Sequence, residues 1–254
     1  MFLPAVLVIV NACAQKLPPT QQVGVRAPDS VKIDGKPAEW GQTLSAYNPA
    51  TEIEYTIAND VQDLYIVATV KGQDMGSRIL SGGLSFVVAN KSKDNDRLVF
   101  TFPTYDTPNH KADYYITIPW AGLAESSMQA SNNIIKNKAR YIRTAGVIGV
   151  DSLLSIYNNF DIKAAGNFNI KHDLTLEMAI PLKYLKGYIQ SDKFNYTMIV
   201  NGMKLAVATS TTFFLPDGRQ GTEEETKKAN ADVNQHFVRL ATPTNFSAEY
   251  TLAK

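Results

Sequence analysis

The sequence holds one cysteine, three histidines and two tryptophans, and each scarcity closes off a class of explanation. A lone Cys13 permits no intramolecular disulfide, so a hydrophobic core must hold the fold together. It also makes no thiolate metal spacing, and His110, His172 and His236 are widely separated. Charge of one sign is missing too: 25 Lys and Arg against 24 Asp and Glu leave a formal charge of +1, no basic field for nucleic acid or an anionic membrane surface. Nucleic acid is therefore not an expected partner. Beyond the N-terminus no apolar run approaches the ~20 residues needed to span a bilayer. Gly-x-Ser-x-Gly, His-Glu-x-x-His, P-loop and Rossmann glycine patterns are absent. The expectation is a protein that binds and does not catalyse.

What the chain does have is core material. Of its 254 residues 44% are hydrophobic and 10% aromatic, ample for independent folding, and no Pro/Gly/Ser-rich linker divides the middle. One domain follows. At the N-terminus, Met1 to Val10 form an apolar stretch followed by Asn11-Ala12-Cys13-Ala14-Gln15, the layout of a secretory signal. Two cleavage readings stay open. Ala12 and Ala14 give the small-x-small pattern of ordinary signal peptidase, while Val10 to Cys13 is lipobox-like and would make Cys13 a lipidated N-terminus. The expected division is 1–14 signal peptide, 15–29 extended tether with Pro18, Pro19 and Pro28, and 30–254 a single folded domain. The corresponding location is extracytoplasmic, in the periplasm or at the outer membrane or cell surface, with membrane contact only through that lipid.

After Ser30 the apolar residues recur mostly at a period near two, as in Ile53 to Ile57 and Leu64 to Val70. Further strands are expected at Gly83 to Ala89, Arg97 to Phe102, Tyr114 to Ile118, Ile142 to Val150, Asp173 to Ile180, Tyr196 to Leu205 and Ser247 to Leu252. Asn59-Asp60 and the charged stretch Lys91 to Asp96 mark hairpin turns. Ala121 to Ala139 breaks the alternation and reads as a helical or irregular insertion; Pro181 to Leu185 starts a short helix that Gly187 would stop. Pro216 to Asp232 reads as a solvated loop or short exposed helix. The fold class is all-β: a two-sheet antiparallel sandwich with short helical insertions, its core built on Ile53, Leu64, Phe86, Leu98, Leu176 and Ile199.

Three ordered segments carry a resemblance: Ile33-Asp34-Gly35 with Glu39-Trp40, then Asn59-Asp60 before Leu64-Tyr65-Ile66, and Leu176-Glu177-Met178-Ala179-Ile180-Pro181. Together they resemble family 9 carbohydrate-binding modules and the wider DOMON-like sandwiches, as in envelope proteins of Bacteroidetes-type bacteria. The resemblance implies an immunoglobulin-like or DOMON-like jelly roll, and a glycan or oligosaccharide as ligand. Asp34-Gly35 supplies a tight turn, and Trp40 plugs the sandwich end. Glu177 either faces solvent by alternation or is buried beside a cation, which in such sandwiches can include calcium. Family 9 modules grip sugar between two tryptophans, whereas here only Trp40 and Trp120 exist and Trp40 is taken by the structural motif.

Sugar binding needs flat aromatic faces with amides and carboxylates beside them. Trp120, Tyr105, Tyr114, Asn109 and Asp106, with Tyr115, supply that mixture, and Trp120 is the best single candidate. Tyr157, Asn158, Asn159 and Phe160, followed by Asp161, form a second cluster. Calcium has one further candidate in Asp94-Asn95-Asp96, which a solvated hairpin tip explains better. The rival readings are an envelope scaffold or adhesin-like protein-interaction domain and, behind it, a haem-binding DOMON-type domain using Met75, Met178, Met198 or Met203 with a histidine. Mass spectrometry of the protein from its native host separates the two cleavage readings: a lipid-modified Cys13 proves one, a Gln15 start the other, and an intact Met1 refutes both.

Overall fold

A computed structural model describes residues 16–41, 43–90, 96–105, 125–203 and 219–254, without the side chains of Val233, His236 and Phe237. The strands are β1 (Val25–Arg26), β2 (Ala46–Asn48), β3 (Ile53–Asn59), β4 (Asp63–Val70), β5 (Leu84–Ala89), β6 (Arg97–Thr104), β7 (Tyr141–Ala145), β8 (Leu153–Ser155), β9 (Lys163–Phe168), β10 (Leu174–Pro181), β11 (Lys193–Val200) and β12 (Thr244–Thr251). They form two six-stranded sheets. Sheet A runs β1-β3-β4-β10-β9 with β2 also on β3, and sheet B runs β12-β11-β5-β6-β7-β8. Every described pairing is antiparallel except β1 on β3. The expected two-sheet sandwich is the observed fold.

The core lies between the sheets, filled by the alternate residues that face inward from each strand. Ile53, Leu64, Phe86, Leu98 and Leu176 are all buried there, together with Phe100, Phe102 and Phe194. Ile199 is not in this core: on β11 the buried positions are Phe194, Tyr196, Met198 and Val200, and Ile199 lies on the other face of the strand. Across the two sheets the Tyr55 and Tyr196 hydroxyls meet at 2.8 Å, so two buried phenols satisfy one another in place of water.

Three helices decorate the sandwich: α1 (Gln73–Gly82), α2 (Glu125–Lys138) and α3 (Glu223–Ala241). Within the expected insertion at Ala121 to Ala139, the described residues Glu125–Lys138 form α2. It packs on β9, and the Asn132 side-chain amide both donates to the Phe168 carbonyl at 3.0 Å and accepts the Phe168 N–H at 2.7 Å, so a β9 edge residue finds its partners in a side chain. The polar stretch ending at Asp232 in the sequence reading becomes a longer helix, α3, closed at its start by a capping box between Thr222 and Glu225. The short helix after Pro181 is a single 3₁₀ turn, Leu182–Tyr184. Among the described residues no helix is long and apolar enough to cross a membrane.

One expectation is corrected at the N-terminal side. The segment read as a tether with the fold starting near Ser30 is docked along the edge of sheet A. Pro18 accepts the Tyr47 N–H, β1 pairs with β3, and Ala27 is buried. Gln21 explains why: its amide nitrogen donates to the Ile57 carbonyl at 2.7 Å and its oxygen accepts the Ile57 N–H at 2.7 Å. A side-chain amide thus imitates a strand, and proline-rich sequence is no obstacle to docking at an edge. Gln21→Ala should therefore lower unfolding free energy by about 1–3 kcal/mol, the cost of orphaning buried backbone groups. Chemical denaturation checks this, and the exposed Gln22→Ala should leave the midpoint unchanged.

Candidate functional site

The three segments that carry the family resemblance meet on the outer face of sheet A. Cross-strand register sets two rows there. In one, Thr56 of β3, Val67 of β4, Glu177 of β10 and Ala165 of β9 lie side by side; in the next, Ala58, Tyr65, Ala179 and Lys163 do. The chain from Ala27 to Trp40 lies over these rows, with Val31, Ile33 and Trp40 packed against Ala58, Tyr65 and Ala179. The Trp40 and Tyr65 rings are 5.9 Å apart.

Glu177 is fully buried, which corrects the solvent-facing reading, and its oxygens are held by N–H donors. Its Oε2 accepts the Gly35 N–H at 2.7 Å and the Asp34 N–H at 2.9 Å, and its Oε1 accepts the Trp40 indole N–H at 2.9 Å. Three donors occupy both oxygens, the compensation a buried carboxylate needs. Gly35 is required for this approach. Its φ is +78°, and a Cβ there would stand 2.5 Å from the Asn167 backbone nitrogen. The Asn59-Asp60 motif works in the same way. Asp60 Oδ1 accepts the Gln62 and Asp63 N–H groups, its Oδ2 accepts the Tyr65 hydroxyl at 2.8 Å, and Asn59 Oδ1 accepts the Tyr250 hydroxyl and the Ala253 N–H.

Next to this clasp is a cleft of about 570 Å³ lined by residues of all three segments, within the size range of small-molecule sites. Buried Ala179 forms part of its floor, with Tyr65 and Lys163 on either side in register. Val31, Ile33, Val61, Pro181 and Leu182 give apolar walls, and Gln62, Asp63, Asp161, Lys163, Lys183 and Lys186 supply the polar groups. Burial and the neighbouring Asp60 carboxylate raise the Asp63 carboxyl above its ordinary value, with Lys163 opposing, Asp161 adding to the rise and Lys183 opposing. Lys183 pairs with Asp161 at 3.6 Å.

The second aromatic cluster leads into this cleft through Asp161. Asn158 builds the turn: its Nδ2 donates to the Ser155 and Ile162 carbonyls and its Oδ1 accepts the Phe160 N–H. Phe160 packs against the core. Asp161 sits at φ +62°, a left-handed conformation that Asp tolerates better than most residues. Tyr157, 70% exposed, and Asn159 face solvent, with the Arg140 guanidinium 5.8 Å from the Tyr157 ring centre. Of the first cluster, Trp120, Tyr114, Tyr115, Asn109 and Asp106 lie outside the described residues. Tyr105 packs against the core and donates its hydroxyl to the Leu80 carbonyl.

The remaining candidates are placed as follows. Asp94 and Asn95 lie outside the described residues, while the Asp96 carboxylate accepts the Tyr188 hydroxyl and the Asn90 amide. Among the described residues no group of three His, Cys, Asp or Glu side chains is arranged to hold a metal ion. Met75, Met178 and Met198 are packed in the inter-sheet core, and His172 is buried in the turn before β10. Cys13 and His110 lie outside the described residues. The cleft's lysines escaped sequence reasoning. The usable signal was Lys183 and Lys186, three residues apart in the turn after Pro181, a spacing that shares one face in a 3₁₀ geometry. No protein-family model and no curated protein matches this chain.

Burial pushes the Glu177 carboxyl up to about 7, with the Trp40, Gly35 and Asp34 donors opposing the rise and Glu39 adding to it. The folded form therefore holds its proton more tightly than the unfolded chain. This contribution to stability is full below the ordinary carboxylate range and is lost as pH rises through about 7. The thermal midpoint should fall between pH 5 and pH 8. Glu177→Gln should flatten that slope and cost about 1–3 kcal/mol, because its NH₂ faces a donor; calorimetric scans across pH check both.

Proposed function

We propose that the protein is a non-catalytic, glycan-associated binding protein of the bacterial cell envelope, and that its ligand occupies the cleft over Ala179. The observation that carries this reading is the composition of the cleft. Apolar walls from Val31, Ile33, Pro181 and Leu182 suit the C–H face of a sugar ring, while an amide, two carboxylates and three ammonium groups suit its hydroxyls. The one hydroxyl in the lining, that of Tyr65, is committed to Asp60. Exposed Tyr157 and Asn159 offer an aromatic face and a second amide in the turn that ends in Asp161. A sandwich fold by itself carries no ligand, so the reading stands on these side chains.

The envelope location rests on the N-terminal sequence. Pro18, bonded to Tyr47 at the β2 end of sheet A, leaves only a short connector to Cys13. A lipid on Cys13 would hold the domain within roughly 17 Å of the bilayer, with the cleft at the far end of the strands.

A glycan array followed by titration calorimetry tests the reading. Gln62→Ala should weaken a binding glycan by about tenfold, roughly 1.4 kcal/mol, with the thermal midpoint unchanged. A silent array together with a stoichiometric protein partner would favour the envelope-scaffold reading instead.

A further inference from the structure

We propose that the ligand of this cleft is acidic, a saccharide residue that presents a carboxylate to Lys163, Lys183 and Lys186. The inference rests on the cleft being the binding site and adds the chemical class of what binds there.

The three ammonium groups come from two elements. Lys163 opens β9 and stands beside Ala179 in register, while Lys183 and Lys186 lie in the segment that follows Pro181. Two carboxylates share the lining, Asp63 and Asp161, so the cations outnumber them. The pairing is also loose. Lys183 and Asp161 are 3.6 Å apart with side chains 54% and 72% exposed, a solvent-screened contact of little strength. The Lys183 ammonium lies 5.0 Å from the centre of the Tyr184 ring, so it is drawn to two weak partners. Among the described residues neither Lys163 nor Lys186 forms an ion pair.

A neutral ligand entering such a cleft strips water from ammonium groups and returns no countercharge, which is unfavourable. A carboxylate replaces that water with charge-assisted hydrogen bonds. The apolar side of the cleft narrows the choice further. Val31, Ile33, Pro181 and Leu182 offer a contact surface that a small inorganic anion cannot use and that the C–H face of a sugar-acid ring can. Lysines carry a point charge with rotatable donors, suited to one carboxylate among hydroxyls more than to the planar bidentate fit that arginine gives.

The experiment is titration calorimetry of the full chain with trigalacturonate, triglucuronate and trimannuronate, and with their methyl esters, which keep the ring and remove the charge. At least one acid should bind, its ester at least tenfold more weakly, and raising salt from 0.05 to 0.5 M should weaken the acid alone. Lys163→Gln and Lys186→Gln, both exposed, should each weaken the acid three- to tenfold without moving the thermal midpoint, while Lys171→Gln at the far end of sheet A should change nothing. An ester that binds as tightly as its acid, or lysine variants that bind like the wild type, overturn the acidic assignment and leave the cleft as a glycan site. Silence towards all three acids alongside a neutral hit on the array overturns it too. Polyglutamate binding as tightly as the acids shows recognition of charge without the sugar and overturns the saccharide class. A wholly silent array removes the underlying reading and this inference with it.

Discussion

The Glu177 carboxylate is the constraint on which the outer face of sheet A depends. It sits on the outer face of a central strand, fully buried, where two backbone amides and one indole N–H converge on it and offset part of the cost of burial. A buried charge without such donors would be strongly destabilising, and donors without the charge would be orphaned in turn. Each side therefore fixes the other. The strand holds Ile33 to Trp40 in place across sheet A, and that segment in turn seals Ala58, Tyr65 and Ala179 beneath Val31, Ile33 and Trp40.

Sheet A is consequently covered on both faces, one by sheet B and the other by its own N-terminal chain. This accounts for the burial of every residue in β10, a pattern unlike the one-sided alternation of most antiparallel strands. It also explains the location of the cleft. Where the covering chain stops short of the β3–β4 hairpin, Ala179 is too small to fill the space between Tyr65 and Lys163, and a concave surface remains with Val31 and Ile33 as one wall. Asp60 supports the same end by holding the hairpin turn and the Tyr65 hydroxyl.

Much of the sandwich was legible because its central strands alternate. β3, β4, β5, β6, β7, β10, β11 and β12 all overlap the segments read from period-two patterning, and five of six expected core residues are in the core. The misses have physical causes. β9 reads Lys-Ala-Ala-Gly-Asn-Phe, too small in side chain to show a pattern, and β1 is two residues in a proline-flanked segment whose docking depends on Gln21. Ile199 was misassigned because β11 alternates with Met198 and Val200 inward, and a one-residue shift exchanges faces. The three motif segments were recognisable individually, but their meeting around Glu177 was not, since N–H donors from a turn 142 residues away leave no trace in local spacing. The cleft was hidden for the same reason: its lysines and aspartates are ordinary surface residues until register and the 3₁₀ turn bring them together.

The most direct test of the clasp is hydrogen exchange followed by NMR at three protons: the Asp34 and Gly35 amides and the Trp40 indole N–H. If Glu177 organises this face, all three exchange as slowly as the amides of β4 and β10, through global unfolding, although Asp34 itself is exposed. Exchange of these protons at the rate of a free loop, while β4 and β10 stay protected, would show that the covering segment opens independently and would contradict the account.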